Sequence, residues 1–210
     1  ELLMSSVSRL NGFRPVKSAT GAPYNGAGEL AFVPSSDSTV IMVGDAVKLL
    51  GDSRSPTGAP TVTRVSAAGD IAYGIVIGIL FTGVGDTVNM PPVNDLNTPI
   101  YRRASTDRYL LVETDPNVIY EAQYLTQSVA AATITANVGL NGSWDVTAGS
   151  TTTGSSGMSI AALSATTATL PLKVVGFPNR PDNNPGDQYF SYYVKLNNTQ
   201  YGTGTGQAGV

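Results

Sequence analysis

At 210 residues, 41% of them hydrophobic, the chain is long enough to bury one sizeable core; a globular chain of this length buries roughly 70% of its unfolded surface. Charged residues make up only 13%, and the net charge is −3 with no run of Lys or Arg, so the clustered positive charge that nucleic acid demands is missing. Cysteine and histidine are both absent, which excludes disulfides, thiolate or imidazole metal sites, and Ser-His-Asp or Cys-His nucleophiles.

Along the chain, residues 1–4 lack the basic flank and long apolar stretch of a secretory leader, and residues 2–10 could form two helical turns. Residues 11–28 hold Gly12, Pro15, Gly21, Pro23, Gly26 and Gly28, which predicts an extended arm anchored by Phe13, Val16 and Tyr24. Short β-rich runs follow at 30–33, 39–43 and 46–50, each closed by Pro, Gly, Asp or Ser. Residues 61–65 alternate cleanly. Residues 71–81 are apolar on both faces and predict a central strand, with Gly74 and Gly78 marking bulges or close backbone approach. The apolar stretch 71–84 is broken by glycines and too short to cross a bilayer, so a soluble protein without a membrane partner is expected.

Runs at 109–113 and 118–123 flank Thr114-Asp115-Pro116-Asn117. Pro presets φ and Asp and Asn cap the backbone there, which predicts a β-hairpin. Residues 126–137, rich in Ala but also in Thr, Val and Ile, are the second candidate helix. Residues 170–175 and 189–196 form a second expected strand pair around the polar loop 179–187. The glycine-rich tail has almost nothing to bury, so it orders only if something ties it down. With 23 glycines and 13 prolines, long helices are disfavoured. The expected architecture is all-β: an N-terminal arm (1–28), a single β-barrel or jelly-roll-like body (29–196) and a C-terminal tail (197–210).

What chemistry remains is that of carboxylates and oxygen ligands. Glu113 and Glu121, on strands expected to face each other, form a conceivable glycosidase pair, yet solvated residues beside a turn account for them more simply. Asp182-Asn183-Asn184-Pro185-Gly186-Asp187 echoes a calcium loop but lacks its frame and terminal glutamate. Gly83-Val84-Gly85-Asp86 is not followed by the Lys of a phosphate loop. Trp144 reads as a core or interface plug before a stacking platform. No catalytic, cofactor or metal residue is assigned, and the chain is expected not to be an enzyme.

Several segments carry a resemblance in order. They are Gly12-Phe13-Arg14-Pro15-Val16, Gly21-Ala22-Pro23-Tyr24-Asn25-Gly26, Val43-Gly44-Asp45-Ala46-Val47-Lys48-Leu49 and Tyr101-Arg102-Arg103-Ala104-Ser105. They continue with Asp115-Pro116-Asn117-Val118-Ile119-Tyr120-Glu121-Ala122-Gln123, Val138-Gly139-Leu140-Asn141, Pro171-Leu172-Lys173-Val174-Val175-Gly176, Arg180-Pro181-Asp182-Asn183 and Val194-Lys195-Leu196-Asn197-Asn198-Thr199-Gln200-Tyr201. Together they resemble the capsid cement, or decoration, proteins of tailed bacteriophages. Residues 81–98 have no counterpart, and Thr199 stands where histidine is expected in that family.

The resemblance implies a barrel or jelly-roll body with extended arms, assembled as a homodimer or homotrimer on the capsid exterior after synthesis in the bacterial cytoplasm. Its partner would be the major capsid protein, whose subunits it would bridge. Contacts implied are Phe13, Arg14, Pro15, Val16, Tyr24, Arg102, Arg103, Arg180 and Tyr201. The alternative is a glycan- or receptor-binding β-module of a virion spike or fibre, which would need an aromatic-lined groove.

Overall fold

The computed structural model describes residues 8–55, 57–80, 99–125, 130–187 and 189–201. Among them are eleven strands and one short helix. They are β1 (Arg14–Ser18), β2 (Glu29–Val33), β3 (Ala46–Ser53), β4 (Pro60–Arg64), β5 (Gly74–Leu80), β6 (Arg108–Glu113), β7 (Val118–Gln123), α1 (Ala131–Ala136), β8 (Asn141–Asp145), β9 (Ser159–Ser164), β10 (Leu172–Gly176) and β11 (Ser191–Leu196). The all-β class is as expected. The strands form a closed five-stranded barrel, β2-β4-β3-β5-β6, and a six-stranded sheet, β1-β7-β11-β10-β8-β9. Neither has the strand order of a jelly roll.

The barrel follows from side-chain alternation. Ala31 and Val33 of β2, Val47 of β3, Val62 of β4, and Leu110 and Val112 of β6 point inward and pack with Ile41, Tyr73, Val76 and Ile79. Strand β5 is apolar on both faces for a structural reason. Val76 and Ile79 fill the barrel, while Ile75 joins Ala46, Val65 and Ala72 in the core of the other sheet. The register of β5 shifts between Val76 and Gly78, the bulge foreseen from the glycines. At Gly74 a Cβ would lie 2.3 Å from the Glu113 carbonyl oxygen, so glycine is required for β5 to approach β6.

The six-stranded sheet has an aromatic core. Phe13 meets Trp144 edge-on at 5.0 Å, and Tyr124, Tyr192, Phe190 and Phe177 form a chain of edge-to-face contacts. The sheet curls until Tyr124, just past β7, bridges Ile160 of β9, and Leu125 N–H donates to the Ile160 carbonyl at 2.8 Å. Helix α1 plugs one end with fully buried Ile134.

Four expectations need correction. The turn at 114–117 forms, with Asn117 N–H donating to Asp115 Oδ1 at 2.8 Å, but β6 and β7 do not pair. Strand β6 lies between β2 and β5, and β7 between β1 and β11, so the turn hands the chain from one sheet to the other. Residues 39–43 make isolated bridges at Ile41 and Val43 rather than a strand. Strand β3 runs through Gly51 and Asp52 to Ser53, with a register shift after Leu49. The body is not confined to 29–196. Phe13 is core and β1 is an edge strand on β7, while Thr199 bridges Ala72.

Of the candidate helices, residues 131–136 are helical and 8–10 are not. Residues 1–7 and 126–129 lie outside the described residues, as do Gly83-Val84-Gly85-Asp86 and residues 202–210 of the tail. The expected pair 170–175 and 189–196 is realised as antiparallel β10 and β11.

Candidate partner-binding surface

Strand β1 is flanked by two depressions that share Asn11 and Arg14. The first is an apolar groove of about 350 Å³ between β1 and the outer wall of the barrel. Phe13, Pro15 and Tyr24 form its sheet side, and Val43, Ile77 and Leu111 its barrel side. Ile77 reaches it by simple alternation from inward-facing Val76, and the bulge that follows returns Ile79 to the barrel. Tyr24 closes one end, its hydroxyl donating to the Ala27 carbonyl at 2.9 Å. Partial burial and the Glu113 carboxylate push the Tyr24 phenol above its ordinary value.

The second depression, about 290 Å³, is polar and lies over β7. Arg180 grips Glu121 with both terminal nitrogens, at 3.0 and 2.8 Å, and its Nε donates to Asp182 Oδ1 at 3.2 Å. The Glu121 carboxylate, foremost through hydrogen bonding, raises the Arg180 guanidinium above its usual value. Arg9 adds a 3.5 Å contact to Asp182. Tyr189, with φ of 60°, is the aromatic among the described residues that line the cleft. The side-chain amides of the Asp182–Asp187 loop are taken up by the backbone flanking it. Asn183 Nδ2 donates to the Pro178 and Ser191 carbonyls, and Asn184 Nδ2 to the Pro181 carbonyl. Among the described residues no group of three or more His, Cys, Asp or Glu is placed to hold a metal.

The structure brings Phe13, Arg14, Pro15 and Tyr24 together around the groove and sets Arg180 in the adjoining cleft. Val16 lies at the bulge of β1, 37% exposed. Two implied contacts are spoken for inside the chain. Phe13 is buried against Trp144. Arg102 is wholly buried, donating to the carbonyls of Pro34, Asp37, Thr39 and Thr106; burial lowers its guanidinium below the usual value, against Asp37 and Asp107. Arg103 is exposed beside it. Tyr201 is 64% exposed and stacks edge-on against Tyr73 at 4.9 Å.

The carboxylates Glu113 and Glu121, expected on facing strands, belong to different sheets. Glu113 Oε1 accepts the Asp115 N–H at 2.9 Å, while Glu121 is held by Arg180. Trp144 is core, its Nε1 donating to the Asp70 carbonyl at 2.8 Å.

Main-chain strand addition at β1 is opposed by the strand itself. Pro15 has no N–H to offer, a bulge follows it, and Lys17 sits on the edge, all devices that blunt an edge strand. Residues 18–23 also fold back on it, with Ser18 N–H donating to the Ala22 carbonyl at 2.9 Å. Side chains entering the groove are the contact this face is shaped for. Sequence reasoning missed Val43, Ile77 and Leu111. Alternation from inward Val76 is the signal that sets Ile77 outward, and the three-residue spacing to inward Ile79 marks the bulge.

These observations define an all-β protein of two packed sheets with a groove at their junction. Compared with protein-family models, curated proteins and solved structures, the chain matches none at a significant level.

Proposed function

We propose that this chain is a virion structural protein, a capsid cement protein. It would bind the outer surface of a tailed-bacteriophage head and bridge major capsid protein subunits, acting as a homodimer or homotrimer and without catalysis. One observation carries the proposal. Three separate segments of the family resemblance, at 12–16, 21–26 and 43–49, supply the walls of one groove through Phe13, Arg14, Pro15, Tyr24, Gly26, Val43 and Gly44. Segments distant in sequence that converge on one open, apolar concavity are what an anchor pocket needs. The low charge supports the same reading, since apolar contacts keep their strength in salt while exposed ion pairs are screened.

Deleting residues 1–28 would not test this, because it removes Phe13 from the core. A surface change does. Val43 is 39% exposed and meets its neighbours through its backbone bridge to Ser155, so Val43→Glu places a charge in the groove and leaves the fold intact. Co-sedimentation with empty heads lacking this protein should weaken by about tenfold or more, since a charge buried without a partner is costly. Wild-type binding by folded V43E would remove the groove from the contact.

A further inference from the structure

The chain contains three Asn-Gly pairs, Asn11-Gly12, Asn25-Gly26 and Asn141-Gly142, and the fold treats each differently. Such pairs cyclise readily, because the glycine nitrogen can swing onto the asparagine side-chain amide without a Cβ to obstruct it. The attack needs local backbone freedom, which packing can grant or deny.

Asn141-Gly142 is denied it on both sides. Gly142 is paired with Leu163 of β9 and Leu172 of β10, and Asn141 is fully buried, with its Nδ2 donating to the Thr167 carbonyl at 3.0 Å. Asn11 is exposed, but Gly12 is wedged at φ of 66°. A Cβ there would lie 2.4 Å from the Gly44 carbonyl oxygen and 2.6 Å from Ser156 Cβ, and the next N–H, of Phe13, donates to that same carbonyl at 3.0 Å. Its peptide has no room to rotate.

Asn25-Gly26 is the contrast. Both residues are exposed, and nothing lies within 4 Å of where a Gly26 Cβ would sit. The local bond that Asn25 does make favours reaction, since Ala27 N–H donates to Asn25 Oδ1 at 3.0 Å. That bond folds the side chain over the following peptide and draws electron density from the amide carbon, as a donor to a developing oxyanion does.

We propose that Asn25 is a site of spontaneous deamidation in the folded protein, selected over Asn11 and Asn141 by the fold. The Gly26 amide gives up its proton to solvent base, and its nitrogen bonds to Asn25 Cγ. The C–N bond of the side-chain amide breaks, and ammonia leaves with a proton from solvent. Water then opens the succinimide at one carbonyl or the other, leaving an aspartate or isoaspartate at position 25. One water is consumed and one ammonia released. The product carries a new negative charge beside Tyr24 and Gly26, at the mouth of the apolar groove. The chemistry does not depend on what occupies that groove.

The test is a time course of the intact protein in mildly alkaline buffer, below its unfolding temperature, followed by peptide mapping with mass detection. A short peptide spanning Tyr24-Asn25-Gly26-Ala27 serves as the unrestrained reference. Asn25 should convert at a rate comparable to the peptide, with Asn11 and Asn141 slower by about tenfold or more, as expected where reaction awaits local opening. In denaturant the three sites should converge, and Asn25→Gln should abolish the conversion at position 25 alone. Conversion at Asn25 no faster than at Asn11 or Asn141 would overturn the proposal. So would an unchanged ranking in denaturant, since sequence and not fold would then set it.

Discussion

The barrel and the six-stranded sheet stabilise themselves by different means. The buried barrel core is aliphatic apart from Tyr73, drawn from strands and their connections between residues 29 and 113, and closure leaves no edge to manage. The sheet gathers β1 from the start of the chain and β7 to β11 from its second half, around Trp144, Phe13, Tyr120, Tyr124, Tyr192 and Phe190. Some of its buried polar groups are paired internally, while the Tyr120 hydroxyl is buried without a hydrogen-bond partner among the described residues. The Tyr192 hydroxyl donates to the Ile134 carbonyl, and burial helps push it up to about 12. A small closed barrel needs only the right alternation, whereas an open sheet depends on a few large side chains and on ties to its neighbour.

Two of those ties rest on single named side chains. Trp144 N–H donates to the Ala68 carbonyl and its Nε1 to the Asp70 carbonyl, so one residue fills the sheet core and pins the loop between β4 and β5. Trp144→Ala should therefore be the most damaging single change. It should cost about 3–5 kcal/mol, the range for truncating a buried aromatic, measured by denaturant unfolding. Hydrogen exchange should then accelerate in β8 and β9 before the barrel. Equal loss of protection in both would mean that the two sheets unfold as one unit.

The second tie is ionic. Asp45, buried just before β3, accepts from Arg64 Nε at 3.1 Å, from the Ser156 hydroxyl at 2.6 Å and from Met42 N–H at 2.9 Å. Burial pushes its carboxyl upward against the pull of Arg64 and these donors. Arg64 in turn donates to the Val146 and Thr147 carbonyls at 3.1 and 2.7 Å, fastening the long β8–β9 loop to the barrel. Arg64→Met leaves a buried carboxylate unpaired and should cost about 3 kcal/mol. Adding Asp45→Asn should recover part of that loss. A double variant no better than the single one would show that the loop carbonyls, and not the ion pair, carry the tie.

The same division explains part of what was legible in the sequence, since β7, β10 and β11 of the sheet were legible too. Barrel strands bury one face or both and show it as alternation or as an unbroken apolar run, so β2, β4, β5 and β6 were visible. Strand β8 was not. Its residues Asn141, Gly142, Ser143, Trp144 and Asp145 include one large apolar side chain, and Gly142 is small because a Cβ would press on Leu163 and Ile160. Strand β1 was hidden by Pro15 and its bulge. The turn at 114–117 was legible from Asp115, but no local signal says which sheet receives the next strand; that is fixed by the distant partners Arg14 and Tyr193 on either side of Glu121. The groove was half visible, because Phe13, Pro15, Tyr24 and Val43 lie in recognisable segments while Ile77 and Leu111 come from the outer face of barrel strands that read only as apolar runs.

The smallest expected effect lies in the loop that Trp144 pins. Asp70 Oδ2 accepts from Lys48 Nζ at 2.7 Å and from the N–H groups of Ser66 and Ala67 at 3.0 and 3.1 Å. Partial burial pulls its carboxyl upward, but the Lys48 ammonium and the two N–H donors outweigh that and hold it below the ordinary 3.8. A carboxyl depressed in the folded state binds its proton less readily there than in the unfolded chain. Its contribution is therefore complete above the ordinary value and is lost as pH falls through the folded one. The pair is only partly shielded from water, so the contribution is about 1 kcal/mol or less. Asp70→Asn should leave an amide oxygen for the Ser66 and Ala67 N–H groups, lower stability slightly at neutral pH, and flatten the acid limb of urea unfolding midpoints below about pH 4. Asp37, held down by Thr63, Thr39 and Arg102 against its own burial, should preserve a residual slope. An acid limb unchanged in the variant would place the loop's anchorage in the Trp144 hydrogen bonds alone, and the sheet would then hold the barrel's loop rather than the reverse.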